Sequence, residues 1–339
     1  MSMTPKHRVL AAFRFEAVDR LPTQVNYTAA MGQALAARLG VPPAGLPRAL
    51  DNHLVRVDLT YAPRFSPNRL TRYDWWGAGH DTVEEGYFIR DSPLAEKPDL
   101  DAFQWPDPHA PGLFAAAERV IAAQGGEHFI APNLGFALFE RAWSLRGFEQ
   151  FLTDMALDPA YAEELLDRIV GIQSVLIDRF ISLGVDGGYF GDDYGAQKGL
   201  LFSPASWRRL IKPRLARLFA PLRERGLPVI MHSDGQIQAI LPDLVEIGLT
   251  VLNPVQPEVL DHRQLRAQFA GRLAFYGGIS TQTVLPHGKS TDVIAAVRAC
   301  VEDLAPDRTG LMLAPSHRMM SDIPLQNVEA MLSAFRQRS

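Results

Sequence analysis

Residues Pro228–Pro257 read PVIMHSDGQIQAILPDLVEIGLTVLNPVQP. Val229, Ile230 and Met231 form an apolar run too short for a helix, and it ends in His232, Ser233, Asp234 and Gly235. Helical spacing follows in IQAILPDLVEIG, and a second apolar run, LTVL, then ends in Asn253 and, past a proline, Gln256. A strand covered on both faces is continuously apolar rather than alternating, so this order reads as strand, helix, parallel strand. Both strands stop at polar groups.

The unit recurs on either side. EHFIAPNLG (127–135), GVDGGYFGDD (184–193), LAFYGGIS (273–280) and GLMLAPSH (310–317) are further strand candidates. Amphipathic stretches separate or follow them: Pro159–Leu183, SPASWRRLIKPRLARLFAPL with Ser203 as N-cap and Pro204 in the first turn, DHRQLRAQFAG, STDVIAAVRACVEDLAP and LQNVEAMLSAFRQ. Alternation of this kind fits an open doubly wound sheet or a closed barrel. No G-x-G-x-x-G follows a strand, which removes support from the dinucleotide-binding form of the open sheet. LPTQVN (21–26) and LVRVDLTY (54–61) add two N-terminal runs, bringing the expected strands to the barrel number. The sequence thus predicts an α/β (β/α)8 TIM barrel, a single domain over 1–339. Helices are expected at Pro5–Glu16 and Met31–Leu39. Pro63–Pro111, with TRYDWWGAGHDT and QWPDPHAP, predicts an irregular insertion of a hairpin and short helices over the barrel mouth. There Trp75 and Trp76 read as core under the insertion or as a lid wall, and His80 as a residue able to face a cavity.

Bulk composition narrows the function classes. The chain has 339 residues, is 47% hydrophobic and 21% charged, and carries a formal net charge of -4. That suits a globular protein with an ample core and argues against a nucleic-acid partner. No apolar run reaches membrane-spanning length, and MSMTPKHRVLAAFRFEAVDR lacks the apolar core of a signal peptide, so a cytoplasmic location is expected. Cys300 is the single cysteine, which excludes an intrachain disulfide and a multi-cysteine zinc cluster. In VIAAVRACVEDL it falls beside the face made by Ile294, Val297, Val301 and Leu304, as a packed structural thiol.

The strand candidates end in Asn26, Asn133, Asp192 with Asp193, His232 with Asp234, Asn253 with Gln256, Gly278 with Ser280, and Ser316 with His317. In a barrel these ends converge on the face that carries chemistry. His7, His53, His109, His128, His262 and His287 fall in helices, turns or polar loops, where solvated or capping roles are expected. His232, Asp234 and His317 are candidate metal ligands: two imidazoles and a carboxylate suit catalytic zinc with one open position, or non-haem iron. Without a metal, Asp234 would orient His232 as a general base. Asp192 and Asp193 are candidates for acid and base, for binding a cationic substrate or for capping the next loop. Asn133, Tyr194, Asn253, Gln256 and Ser280 are candidates for orienting substrate. Gly235 would let the backbone turn sharply after the strand.

DRLP (19–22), LRGFEQFLTDMALDP (145–159), GDDYGAQKGLLFSPASWRRLIKPRL (191–215), MHSDGQI (231–237), IGLTVLNPVQP (247–257), FYGGISTQTVLPHG (275–288) and LAPSHRMMSDIPLQNVEAM (313–331) together resemble the uroporphyrinogen decarboxylase superfamily, in order and over nearly the whole chain. The resemblance implies a (β/α)8 barrel and one of two activities: cofactor-free porphyrinogen decarboxylation, or methyl transfer by zinc enzymes that serve corrinoid proteins. The decarboxylases carry an N-terminal Arg-Gln-x-Gly-Arg motif that grips substrate carboxylates; the corresponding TQVNYTAAMGQA (23–34) has no arginine. The methyltransferase branch has His-x-Cys after one strand and a second Cys near the last strand. Here His232 and Asp234 occupy the first element and His317 falls about where the second Cys would be. That donor set is harder than two thiolates and an imidazole, and leaves a bound metal more positive and a bound thiolate less nucleophilic. The expected function is a methyltransferase moving a methyl group between a small methylated compound, or a corrinoid on a partner protein, and a small acceptor, with zinc of atypical ligation and a homodimer as further expectations. The alternatives are a decarboxylase of a small carboxylated or tetrapyrrole substrate, and a non-catalytic ligand-binding subunit.

Overall fold

Seven apolar runs become one parallel sheet in the computed structural model, which describes residues 3–86 and 88–336. The strands, in chain order, are β1 (Leu54–Val57), the short β2 (Arg64–Phe65), β3 (Thr71–Tyr73), β4 (Gly79–Asp81) and β5 (Ile89–Asp91), then β6 (Phe129–Gly135), β7 (Gly188–Gly191), the two-residue β8 (Gly195–Ala196) and β9 (Gly199–Leu200), β10 (Val229–His232), β11 (Val251–Asn253), β12 (Ala274–Ile279) and β13 (Leu311–Pro315). The parallel sheet runs β1-β6-β7-β10-β11-β12-β13. Helices join and cover its strands, among them Pro159–Ser182, Lys212–Arg223, Ser290–Leu304 and Leu325–Arg336.

Strand side chains alternate between faces, and the two hydrophobic clusters separate by that parity. Met231, Leu252, Phe275 and Leu313 pack outward with the helices. Leu54, Phe129, Ala131, Tyr189, Ile230, Val251, Ala274, Tyr276, Met312 and Ala314 meet in a second cluster inside the curl, plugged by Val9 and Phe13 of the Pro5–Phe13 helix. Residues from β1 and β13, the two edges, share that inner cluster, so the sheet wraps around it. One step beyond the inner apolar layer, the same parity places Arg56, Asn133, His232 and Asn253 at the upper ends of their strands.

The expected strand at 21–26 is not a strand. Thr23 and Tyr27 make isolated parallel bridges to Leu313 and Met319, and the segment lies between β13 and β1. Leu313 N donates to Pro22 O at 2.9 Å and His53 N to Thr23 O at 3.1 Å. Toward β1 the ladder is replaced by side chains: Val25 N donates to Asn52 Oδ1 at 2.8 Å and Leu54 N to Gln24 Oε1 at 3.0 Å. Pro22 also has no amide to donate. The sheet therefore has seven strands where eight were expected.

The 63–111 segment differs from expectation too. It forms a four-stranded antiparallel meander, β2-β3-β4-β5, followed by turns rather than short helices. Ser203 caps its helix as expected, accepting from Ser206 N at 3.1 Å, although the helix passes through a π-turn at Trp207–Ile211 just before Pro213, whose missing amide interrupts the regular ladder. Cys300 is 2% exposed under β12, and burial pushes its thiol up to about 12. Among the described residues no helix is long and apolar enough to cross a membrane.

Candidate active site at the strand ends

A cavity of about 870 Å³ opens above the inner apolar cluster, lined by strand-end residues below and by the β2–β5 meander above. His232, the last residue of β10, projects into it. Its Nδ1 lies 2.6 Å from Asn253 Oδ1, on the neighbouring strand end. Its Nε2 lies 3.8 Å from Asp234 Oδ1 and 4.0 Å from Asp193 Oδ1. His317, two residues beyond β13, places Nε2 3.8 Å from Asp234 Oδ2, and the two imidazole centroids are 5.7 Å apart. One ligand atom from each of His232, Asp234 and His317 falls within 4.8 Å of the others. This is a donor set able to hold a metal ion.

Asp234 reaches this position by a route that strand alternation does not supply, because β10 ends at His232. Gly235, at φ +79°, makes the turn, and a Cβ there would stand 2.4 Å from the Gly195 carbonyl carbon. Asp234 N donates to Asp193 Oδ1 at 2.8 Å and Gln236 N to Ala196 O at 2.8 Å. The loop after β10 is thus held against the loop after β7.

Electrostatically the two histidines diverge. Burial alone would lower the His232 pKa, but the carboxylates of Asp234 and Asp193 and the Asn253 bond raise it above the ordinary value. Burial and the positive charge of His232 lower that of His317. Asp193 is raised, chiefly by burial. Glu140, at the start of the Phe139–Arg146 helix, also lines the cavity, and burial with the Asp193 and Asp192 carboxylates raises it well above the carboxylate range.

The other candidates divide. Asn133 and Asn253 line the cavity with Asp193, and Asn133 Nδ2 donates to Asp58 Oδ1 at 2.8 Å. Asp192 does not line it: fully buried, it accepts from Phe139 N at 2.9 Å, Glu140 N at 2.7 Å and Tyr194 Oη at 2.5 Å. It caps the helix that presents Glu140, and burial pushes it up to about 6. Tyr194 is spent on that bond. Gln256 accepts from Gly235 N at 3.2 Å and so supports the turn, and Ser280 donates to Glu258; neither lines the cavity. Asp192, Tyr194, Gln256 and Ser280 are therefore supports of the site rather than its walls.

The sequence singles out Trp75, Trp76 and His80 of the roof, all of which line the cavity, but not Glu140, Arg56 or the Asp74–Arg141 pair. Arg56 was legible, since it shares strand parity with inward-facing Leu54, and its guanidinium stands 4.9 Å from the Tyr189 ring centroid. Glu140 lies in a helix, and no pattern in its own stretch marks it. In the roof, Asp74 Oδ2 accepts from Arg141 Nη1 at 2.6 Å and His80 Nε2 lies 3.1 Å from the same oxygen. Trp75 and Trp76 both line the cavity in an edge-to-face pair, centroids 5.5 Å apart.

The family model described as Uroporphyrinogen decarboxylase (URO-D) matches residues 81–338. No curated protein matches the chain. Among solved structures, a methyltransferase from Methanosarcina mazei superposes with a TM-score of 0.74 at 19% identity, covering 98% of each chain. A B12-independent methionine synthase from Shewanella sp. W3-18-1 gives a TM-score of 0.48 at 11% identity, covering 93% of this chain and 94% of that one. The first of these likenesses is one of fold.

Proposed function

Because this chain belongs to the uroporphyrinogen decarboxylase family, we propose that it is a methyltransferase-type member, transferring a methyl group between a small methylated compound or a corrinoid carrier protein and a small acceptor. The observation that carries the reading is the convergence of His232, Asp234 and His317, with ligand atoms within 4.8 Å of one another, at a point where His232 and His317 line the cavity. The fold likeness to the Methanosarcina mazei methyltransferase over the full length supports it.

Two imidazoles that line the cavity and one carboxylate beside them fit zinc as a three-ligand site with a free position. When bound, zinc would acidify a thiol or water and hold the resulting anion. The protein's own groups supply the rest. His232 and His317 would present Nε2 to the cavity, and Glu140, raised well above the carboxylate range, would hold a proton in the cavity wall. The loop turn at Gly235 would fix the Asp234 carboxylate between the two rings. We read the 21–27 segment as closing a barrel of eight staves, residues 1–339 as one domain, and the 63–111 segment as an insertion within it. A cytoplasmic location, a homodimer and a corrinoid-bearing partner belong to the same reading.

One observation favours decarboxylation as a second reading. Glu140, a carboxyl raised well above the carboxylate range, lines the same cavity as Arg56, and such a carboxylic acid could protonate the carbanion left by loss of CO2. Elemental analysis of the purified protein separates the two. Zinc bound in wild type and lost in His232→Ala supports methyl transfer. A protein that binds no transition metal and releases CO2 from a carboxylated substrate favours the second reading.

A further inference from the structure

Asn253 was expected to touch substrate, yet its side chain is already committed. Nδ2 donates to the Tyr276 carbonyl at 2.8 Å. A carbonyl only accepts, so this contact fixes which end of the amide is nitrogen. Oδ1 then points the other way and accepts from Tyr189 Oη at 2.8 Å while lying 2.6 Å from His232 Nδ1. An amide oxygen cannot donate, so His232 Nδ1 must carry the hydrogen in that bond. In the neutral ring the lone pair is then on Nε2, the atom nearest Asp234 and Asp193.

We propose that Asn253 is a positioning residue: held by the Tyr276 carbonyl, it locks His232 in the Nδ1–H tautomer and aims the Nε2 lone pair at the point shared with Asp234 and His317. The inference rests on the Proposed function only for what that lone pair is used for, as metal ligand or base; the tautomer stands by itself. Asn253 is 4% exposed and backed by β12, so its contacts do not depend on what fills the cavity. The arrangement gives His232 the kind of outer partner that orients a metal-binding imidazole. It also accounts for an amide rather than a carboxylate at this position, since a carboxylate oxygen would repel the Tyr276 carbonyl at 2.8 Å.

The test is 15N imidazole NMR of metal-free protein at alkaline pH, where the ring is neutral, with His232 assigned by its disappearance in His232→Gln. Wild type is expected to show a protonated Nδ1 and a bare Nε2; the opposite tautomer would overturn the inference. Asn253→Ala should yield mixed tautomers and weaken zinc binding roughly 10- to 100-fold. Tyr189→Phe, which removes only the other donor to Oδ1, should leave the His232 signals in place and keep the comparison usable if Asn253→Ala folds poorly. An Asn253→Ala variant with an unchanged tautomer and unchanged zinc affinity also sinks the proposal. Should wild type bind no zinc, the metal reading fails, while the NMR spectrum still decides the tautomer.

Discussion

Val229, Ile230 and Met231, on the strand that delivers His232, are each 0% exposed, whereas Val83 and Phe88, near the tip of the roof, are 64% and 56% exposed. The floor of the cavity is therefore positioned by burial: every strand beneath it is packed against helices outside and the inner cluster within. The roof has little core of its own. Among the described residues, polar tethers join it to the rest, on one side by Asp74 to Arg141 and on the other by Glu85 to Thr28 and Ser321, beside the small apolar contact of Trp76 and Ala78 with the main cluster. A floor held by area keeps side chains to a fixed geometry, because moving any one strand exposes apolar surface. A roof held by a few polar contacts and a small apolar patch can part from it at lower cost than a strand of the floor. Chemistry placed on the first and access controlled by the second is the division of labour that the contrast suggests.

The largest expected effect is on chemistry alone. His232→Ala or His317→Ala should remove bound metal and lower turnover by more than about 10²-fold, while thermal unfolding stays within about 1 kcal/mol of wild type, since both rings are only partly buried. Metal analysis and calorimetry on the same samples check this. A variant that loses fold and metal together would erase the distinction between positioned site and positioning floor.

Next in size is Arg141→Ala. Arg141 and Asp74 side chains are 7% and 11% exposed, and the Arg141 guanidinium also stands 5.1 Å from the Trp76 ring centroid. Burial alone would raise the Asp74 pKa, but Arg141 and His80 hold it well below the carboxylate range. Removing the guanidinium leaves a buried carboxylate with His80 and two backbone amides, at a loss of about 3 kcal/mol. Chemical denaturation measures it. A loss under 1 kcal/mol would mean that the roof is not anchored there.

A comparable loss is expected from acid at the opposite end of the sheet. His53, 0% exposed just before β1, has Nε2 2.7 Å from Arg8 Nη1 and Nδ1 3.1 Å from Thr23 O. Burial, with the Arg20 and Arg8 charges, lowers its pKa to about 4 despite Asp51. The unfolded chain takes up this proton near pH 6.5 and the folded one only near pH 4, so between those values the unfolded state binds more protons. Stability should therefore fall as pH drops through that window, by up to about 3 kcal/mol, and be fully present above it. Denaturation midpoints across the window test this, and His53→Gln should flatten the slope.

How much of this was legible follows the same line between floor and roof. Apolar runs bounded by turn residues identified all seven parallel strands, since a strand buried on both faces has nothing else to be. The polar residues ending those runs identified His232, Asp234 and His317. Asp192 reads as acid or base, cation binder or loop cap because sequence shows that a carboxylate follows a strand, not which way it turns; it turns to cap a helix more than fifty positions earlier in the chain rather than the next loop. LPTQVN looked like a strand, but Gln24 and the neighbouring Asn52 supply side-chain bonds where a ladder was expected. In the roof, order comes from pairs distant in sequence, Asp74 with Arg141 and Glu85 with Ser321, and no local period announces them.

The smallest expected effect is the sharpest test of the roof as a separate, lightly tethered layer. Glu85 Oε1 accepts from Thr28 Oγ1 at 2.8 Å and from Ser321 Oγ at 2.9 Å, and Oε2 from Ser321 N at 3.1 Å. Thr28 caps the Ala29–Leu39 helix and Ser321 follows β13, so one carboxylate ties the tip of the meander to the far rim of the cavity. Those bonds hold the Glu85 pKa below its ordinary value, the Thr28 bond most of all. The contacts are near the surface, where such a group contributes little to global stability, so Glu85→Ala should change the unfolding midpoint by less than about 1 kcal/mol. Amide exchange should nevertheless quicken at Ser321, whose N–H loses its acceptor, and across residues 79–86, while β10 and β11 remain as protected as in wild type. Exchange that rises equally in roof and floor would show that the two layers open together, and the contrast drawn from their burial would not hold.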